Sequence, residues 1–299
     1  MRLSRLRVEQ FQTLVWHYYK KHGRKFPWRK TRDPYAILVS EIMLQQTQVE
    51  RVIPKYLAWM KKFPTIEALA RAPLKEALLG WQGLGYNRRA LNLKRAAEII
   101  VSEHDGEIPR DLKKLDTLSG VGPYTAAAVM AFAWNEPVAF VETNIRTVFL
   151  HHFFPRRKEV RDGEILRMVE QTLPANAQLR SDLSPDPRSN LGGVNDHPSG
   201  PLLRKEGRIR AWYSALMDYG AHLKETIGNP NARSAQYAKQ SKFRGSRREL
   251  RGEILRKAAT QKFVSRKDVI SKGLPIAHIF MELVREGFLK KEGSRFTLT

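Results

Sequence analysis

Apolar positions recur along this chain at helical spacing, and the pattern changes only near the C terminus. Over residues 8–20 a stripe of Phe11, Leu14, Val15 and Tyr18 predicts a helix, closed by a turn at His22-Gly23. Asp33-Pro34 is a helix-start signal, and Ile37, Leu38, Ile42 and Val49 continue its apolar face, with Pro54 opening the next helix. Pro64-Thr65 and Pro73-Leu74 start two more, through Leu69 and Leu79, and residues 92–104 form a longer amphipathic one. Helical spacing returns at Ile209, Trp212, Leu216 and Met217. Helices over 249–260, 266–272 and 275–286, then a hairpin turning at Glu292-Gly293, suggest a small winged-helix-like module over 246–299. β-branched alternation is nearly absent before it, so the body should be all-α. Between 174 and 207 Ser, Pro, Asn, Asp and Gly dominate without period, which reads as a flexible insertion.

Composition adds a partner. In 299 residues, 53 Lys and Arg against 30 Asp and Glu leave a net charge of +23, which makes nucleic acid the first partner to consider and an anionic membrane surface the second. No apolar run is long enough for a membrane span, and the N terminus lacks a signal-type core, so the chain is expected in the cytoplasm, at the nucleoid. With no cysteine there is no disulfide, thiolate zinc site, catalytic thiol or cysteine-bound iron–sulfur cluster. The eight histidines show no metal-ligand spacing, so no metal is expected.

One stretch, 118–149, combines several kinds of signal. Gly120 and Gly122 flank Val121 in a turn too tight for side chains at both ends, and Pro123 then opens a helix. Backbone N–H groups at such a helix N terminus favour anions, and in so basic a chain the anion is a nucleic-acid phosphate. Glu142 starts the next apolar-periodic segment, either as a helix N-terminal carboxylate or as chemistry. Upstream, Glu41 has Ile37, Leu38 and Leu44 as helical neighbours, so its carboxyl emerges on a largely apolar face. Burial would favour its protonated form, as a general acid requires; a solvated glutamate at the stripe's edge fits the pattern equally well.

The order and spacing of SEIMLQQTQV, GLGY and GVGPYT, with PWRK ahead and VETN behind, resemble the A/G-specific adenine DNA glycosylases (MutY type) of the endonuclease III, or helix-hairpin-helix, superfamily. The resemblance covers residues 25–150. It implies a two-lobed helix-hairpin-helix DNA glycosylase fold over 1–245: a six-helix lobe of about 29–137, and a second lobe from the N-terminal helix plus about 138–245. It also implies a monomer that acts in base excision repair on double-stranded DNA carrying a mispaired or damaged base. Adenine opposite 8-oxoguanine or guanine would be flipped out and hydrolysed from its sugar, with Glu41 as the acid that protonates N7 and Glu142 as the carboxylate that stabilises the sugar cation. Tyr124 stands where bifunctional members carry a Schiff-base lysine, which implies a monofunctional enzyme without strand cleavage. Asn144 matches an asparagine that positions sugar or water; helix N-capping is its structural alternative. Gln45, Gln46 and Thr47 lie one turn beyond Glu41, placed to enter the duplex, and Tyr86 matches an inserted wedge. Gly120, Val121 and Gly122 match the phosphate hairpin, which can also hold a monovalent cation. Trp28 and Arg29 resemble residues near the adenine pocket.

Three departures from the family pattern matter. Aspartate is usual where Glu142 stands, and the added methylene moves its oxygens by about 1.5 Å unless the backbone compensates, so a repositioned catalytic carboxylate, a structural residue and lost activity all stay open. The four cluster-binding cysteines of the family are missing, so no cofactor is expected, and the 218–245 loop should be held by packing, leaving its Lys and Arg for phosphate. The last fifty residues are too few for the usual 8-oxoguanine-reading domain, which leaves the opposite base open. Glycosylases for thymine or uracil opposite guanine, and a catalytically silent binder of DNA lesions, are the competing readings.

Overall fold

Several helix starts in this protein are fixed by side chains that accept backbone N–H groups otherwise left without partners. The computed structural model describes residues 2–174, 208–237, 242–270 and 273–299, so the insertion expected at 174–207 lies outside the described residues from 175 onward. Ser4 caps α1 (Arg5–His22), and Asp33 caps α2 (Pro34–Leu44), with Pro34 on the first helical residue. Next come α3 (Val49–Lys62), α4 (Ile66–Arg71, capped by Thr65), α5 (Leu74–Trp81), α6 (Arg88–Glu103), α7 (Leu112–Thr117, capped by Asp111) and α8 (Pro123–Trp134). The remaining helices are α9 (Thr143–Phe153), α10 (Asp162–Thr172), α11 (Arg208–Ile227), α12 (Arg247–Thr260, capped by Ser246) and α13 (Ile276–Arg285). The described residues are mostly helical, as the pattern required.

Several boundaries differ from the pattern, each for a local reason. The buried face of α1 is Phe11, Val15, Trp16 and Tyr19, and Leu14 is exposed. α2 stops at Leu44 and does not run on to Val49, because Gln46 takes a left-handed φ of 53° that a helix cannot contain. Pro54 does not open a helix but sits inside α3, on its exposed side. α6 begins at Arg88, four residues before Asn92, because the Tyr86 and Asn87 carbonyls already accept from Arg89 and Leu91. Of the helix expected over 266–272, the described residues form only a short turn at Arg266–Asp268, with the Asp268 carboxylate bonded back to Ser265.

The helices gather into two compact units, residues 1–26 with 126–238 and residues 27–125 with 239–299. In the first, Phe11 packs edge-on against Phe149, Phe153 and Trp212, and Trp16 lies 5.2 Å from Trp212. The fully buried Trp16, Phe149 and Trp212 lock α1, α9 and α11 together, and each aromatic pair adds about 1 kcal/mol beyond area burial. Gly220 lets α11 touch α9: a Cβ there would stand 2.2 Å from the Asn144 carbonyl oxygen.

In the second unit α2 is buried from Tyr35 to Met43 and Trp59 packs edge-on with Trp81 and Phe63. The C-terminal segment belongs to the same unit. There α12, β1 (Val264–Ser265), α13, β2 (Leu289–Glu292) and β3 (Arg295–Leu298) enclose Phe280, Phe288 and Phe296. The antiparallel sheet has strand order β1-β3-β2, and Glu292 pairs with Arg295 across Gly293-Ser294, so the hairpin turns beside the expected Glu292-Gly293.

Candidate active site

Glu41 stands in a helix with almost no solvated face. Its residue is only 5 % exposed, and its carboxylate accepts a hydrogen bond of 2.8 Å from the Tyr124 hydroxyl at the start of α8. The first turn of α8 holds a second link: Gln45 Nε2 donates to the buried Thr125 hydroxyl at 3.2 Å. An acid and a phenol bonded in a buried site can shift a proton to a reacting atom without first shedding water.

The turn that ends α2 is organised by one buried cation. Arg89 donates from Nη1 to the carbonyls of Ile42, Met43 and Gln45 at 2.8, 3.0 and 2.6 Å, the first two in α2's last turn, where intrahelical donors run out, and the third on its C-cap. From Nη2 it reaches the Thr47 hydroxyl and the carbonyls of Leu84 and Gly85, each at 3.1 Å. One guanidinium therefore ties Gln45 and Thr47 to the turn carrying Tyr86. Burial pushes it down to about 10, against which the nearby Tyr86 phenol acts. Gln45, Gln46 and Thr47 thus sit in this turn, not on a continuing helix. Tyr86 follows Gly83 and Gly85, all three with positive φ, and is half-buried. Sequence reading missed Arg89, although a signal existed: it shares a helical stripe with Leu93, Ala96 and Ile100, and a cation in an apolar stripe implies a built site for it.

The hairpin before α8 forms through Val121 N–H bonding the Leu118 carbonyl at 3.0 Å. Gly120 has φ 78°, and a Cβ there would lie 2.7 Å from Asn92 Cβ, so glycine is required. Gly122 differs from expectation: a Cβ would meet nothing within 4 Å, so the turn itself does not require glycine.

Glu142 caps α9. Its Oε1 accepts from the Asn144 and Ile145 amides at 2.7 and 2.8 Å, and its Oε2 from Asn144 Nδ2 at 3.3 Å. Burial pushes its carboxyl up, and those amides, with Lys224 and Arg146, pull against it. Lys224 is half-buried and lowered by that burial, with Glu142 opposing the shift. Arg146 is held away by a bidentate pair with Asp162, at 2.7 and 2.6 Å. The capping role that sequence offered to Asn144 therefore belongs to Glu142, because the longer side chain reaches two amides while Asn144 lies inside the first turn.

The loop after α11 is held by polar bonds, not by packing alone. Arg233 donates to the carbonyls of Leu150, Phe154 and Pro155 at 3.2, 2.6 and 2.5 Å, and buried Asn231 to the Thr143 carbonyl and the Thr147 hydroxyl. Arg233 is thus engaged internally. Trp28 is buried edge-on against Tyr56, whereas Arg29 is half-buried. Among the described residues no group of His, Asp or Glu could hold a metal ion, and the chain lacks the thiolates an iron–sulfur cluster needs.

Residues 39–172 match the family described as HhH-GPD superfamily base excision DNA repair protein. The chain is 45 % identical over 142 residues to the adenine DNA glycosylase of Mycolicibacterium smegmatis, covering 47 % of this chain and 48 % of that protein. It is 39 % identical over 150 residues to the human adenine DNA glycosylase, covering 47 % of this chain and 28 % of that one. The chain thus spans about half or less of the relatives it matches. Among solved structures, a thermostable thymine-DNA glycosylase is 25 % identical with a TM-score of 0.55, over 72 % of this chain and 87 % of that one. A trapped endonuclease III–DNA covalent intermediate, 19 % identical with a TM-score of 0.51, covers 74 % of this chain and 86 % of its own and shares the fold.

Proposed function

We propose, on the premise that residues 39–172 belong to the HhH-GPD superfamily of base excision DNA repair proteins, that this chain is an adenine DNA glycosylase acting on adenine mispaired with 8-oxoguanine or guanine. The observation that carries the reading is the buried Glu41 carboxyl bonded to the Tyr124 hydroxyl, in the segment similar to adenine DNA glycosylases. The base is flipped from the stack, and Glu41 delivers a proton to N7 of adenine. The C1′–N9 bond breaks, its electron pair leaves with the base, and water adds to C1′ and gives up a proton. Glu142, as carboxylate, stabilises the positive charge on the sugar, and Asn144 steadies it through the bond to Oε2. Tyr124 cannot form a Schiff base, so the product is an abasic site in an uncut strand.

Gln45, Gln46, Thr47 and Tyr86 grip the opened duplex, the Gly120–Gly122 hairpin binds a backbone phosphate, and Trp28 and Arg29 lie by the base. The working domains are 1–245 for catalysis and 246–299 as an appended module, in a monomer acting at the nucleoid. A second reading, excision of thymine or uracil opposite guanine, is favoured by the similarity to the thymine-DNA glycosylase structure.

Single-turnover base release from duplexes with A opposite 8-oxoguanine, A opposite G, T opposite G and U opposite G decides. Release of adenine alone is expected, release of thymine or uracil selects the second reading, and no release leaves a DNA binder. Glu41→Gln should remove excision and leave duplex affinity within about twofold, since only the transferable proton is lost.

A further inference from the structure

We propose that Arg248, on the first turn of α12, is a positioning residue that sets the Tyr86 side chain for entry into DNA, so that the C-terminal segment acts in base excision through this one contact. The inference rests on the glycosylase reading and on Tyr86 as the residue that enters the duplex.

The backbone under Tyr86 is already fixed. Tyr86 has a left-handed φ of 48°, unusual for a residue with a side chain, and Trp81 Nε1 and Arg89 both donate to the carbonyl of Gly85 before it. A fixed backbone leaves χ1 and χ2 to place the ring. Two cations address it: the Arg89 guanidinium lies 5.6 Å from the ring centroid, and the Arg248 guanidinium lies 5.1 Å from it while Nη1 donates to the phenol oxygen. A ring contact combined with a bond at its tip constrains both torsions.

The segment is docked so that Arg248 can do this. The Glu286 carboxylate at the end of α13 takes Arg88 of α6 at 2.6 Å and Arg251 of α12 at 2.5 Å, and the Glu286 backbone carbonyl accepts from Arg95. Burial raises that carboxyl, the two arginines outweigh it, and the net shift is downward, so it stays ionised as the docking requires. Gly287 permits the approach: a Cβ there would stand 2.5 Å from Arg95 Nη2. On α12 Arg247 and Arg251 bind the carboxylates of Glu282 and Glu286, whereas Arg248 is directed at the phenol. The matched residues 39–172 include Tyr86 but not Arg248, so this contact joins the family segment to a part of the chain outside it.

The test is a double-mutant cycle on the full chain with Arg248→Ala, Tyr86→Phe and both. Single-turnover excision on A opposite 8-oxoguanine and the fluorescence of 2-aminopurine placed beside the target base are the two readouts. Arg248→Ala should slow excision and weaken the fluorescence rise by about tenfold, Tyr86→Phe, which keeps the ring contact, by less, and the double variant by no more than Arg248→Ala, with melting temperatures within about 2 °C of the native chain. Arg248→Lys should recover part of the rise, since a cation over the ring is kept. Additive losses, an unchanged Arg248→Ala, or losses that follow a fall in melting temperature would overturn the proposal. If the native chain releases no base, the glycosylase reading fails, while the fluorescence rise still reports whether Arg248 governs insertion.

Discussion

Glu142 accepts two backbone amides at 2.7 and 2.8 Å, and this capping can be separated by mutation from the catalytic role proposed for it. Replacement by alanine removes the α9 cap and should lower stability by about 1 kcal/mol, read as a drop in melting temperature. Glu142→Asp should keep most of that stability, because aspartate is an effective cap, while its excision rate reports whether the extra methylene is needed for geometry. The proposed mechanism uses the ionised form, and burial moves this carboxyl above its ordinary 4.5. The acid limb of the excision profile should therefore lie at a higher pH than for an exposed glutamate, with the rate rising as the proton leaves. His152 carries the opposite kind of linkage. Burial, with His151 and Arg7 nearby, lowers it from 6.5 to about 4, so the folded chain holds it neutral beside the Tyr219 hydroxyl. Its stabilising contribution is full above pH 6.5 and is lost as the pH falls toward 4. Thermal melts of the native chain and His152→Phe across that interval should diverge on the acid side, the native chain losing more.

Among elements, the turn after α2 is gathered by Arg89, and Arg233, with Asn231, holds the loop after α11. Arg89→Lys replaces a planar fork by a point charge and strands carbonyls of Ile42, Met43, Leu84 or Gly85. It should cost about 3 kcal/mol and slow excision together, because the turn carrying Gln45 and Thr47 loses its shape; denaturant melts and single-turnover rates measure the two. Arg233→Ala should loosen the end of α9 and the loop, seen as faster hydrogen exchange of residues 150–160 and 229–237. The helices opened by Asp33 and Thr65 were legible in sequence because those caps are local and depend on neighbours two or three residues away, whereas α7, capped by Asp111, went unread although its signal is of the same kind. The arginine hubs were not legible, since Arg89 and Arg233 bond carbonyls tens of positions away; the end of α2 turns on the left-handed Gln46, and Pro54 is carried inside α3. Glu41 was legible as a carboxyl on an apolar face, whereas its bond to Tyr124 spans 83 residues and has no local signal.

For the whole molecule, a charge of +23 should make duplex binding fall steeply with salt, the logarithm of affinity dropping by about 0.9 per neutralised phosphate for each decade of salt. Arg88, Arg95, Arg233 and Arg251 are bound internally and should contribute little to that slope. Two glycines would separate folding from function in a complete mutational scan. Every other amino acid begins with the Cβ that Gly220 cannot carry beside the Asn144 carbonyl, so no substitution there should survive a screen for folded protein. Gly122 has open space, so the same screen should accept alanine or serine at that position. A screen for repair should reject them if a phosphate occupies the space, and the gap between the two screens would trace where DNA comes closest to the backbone.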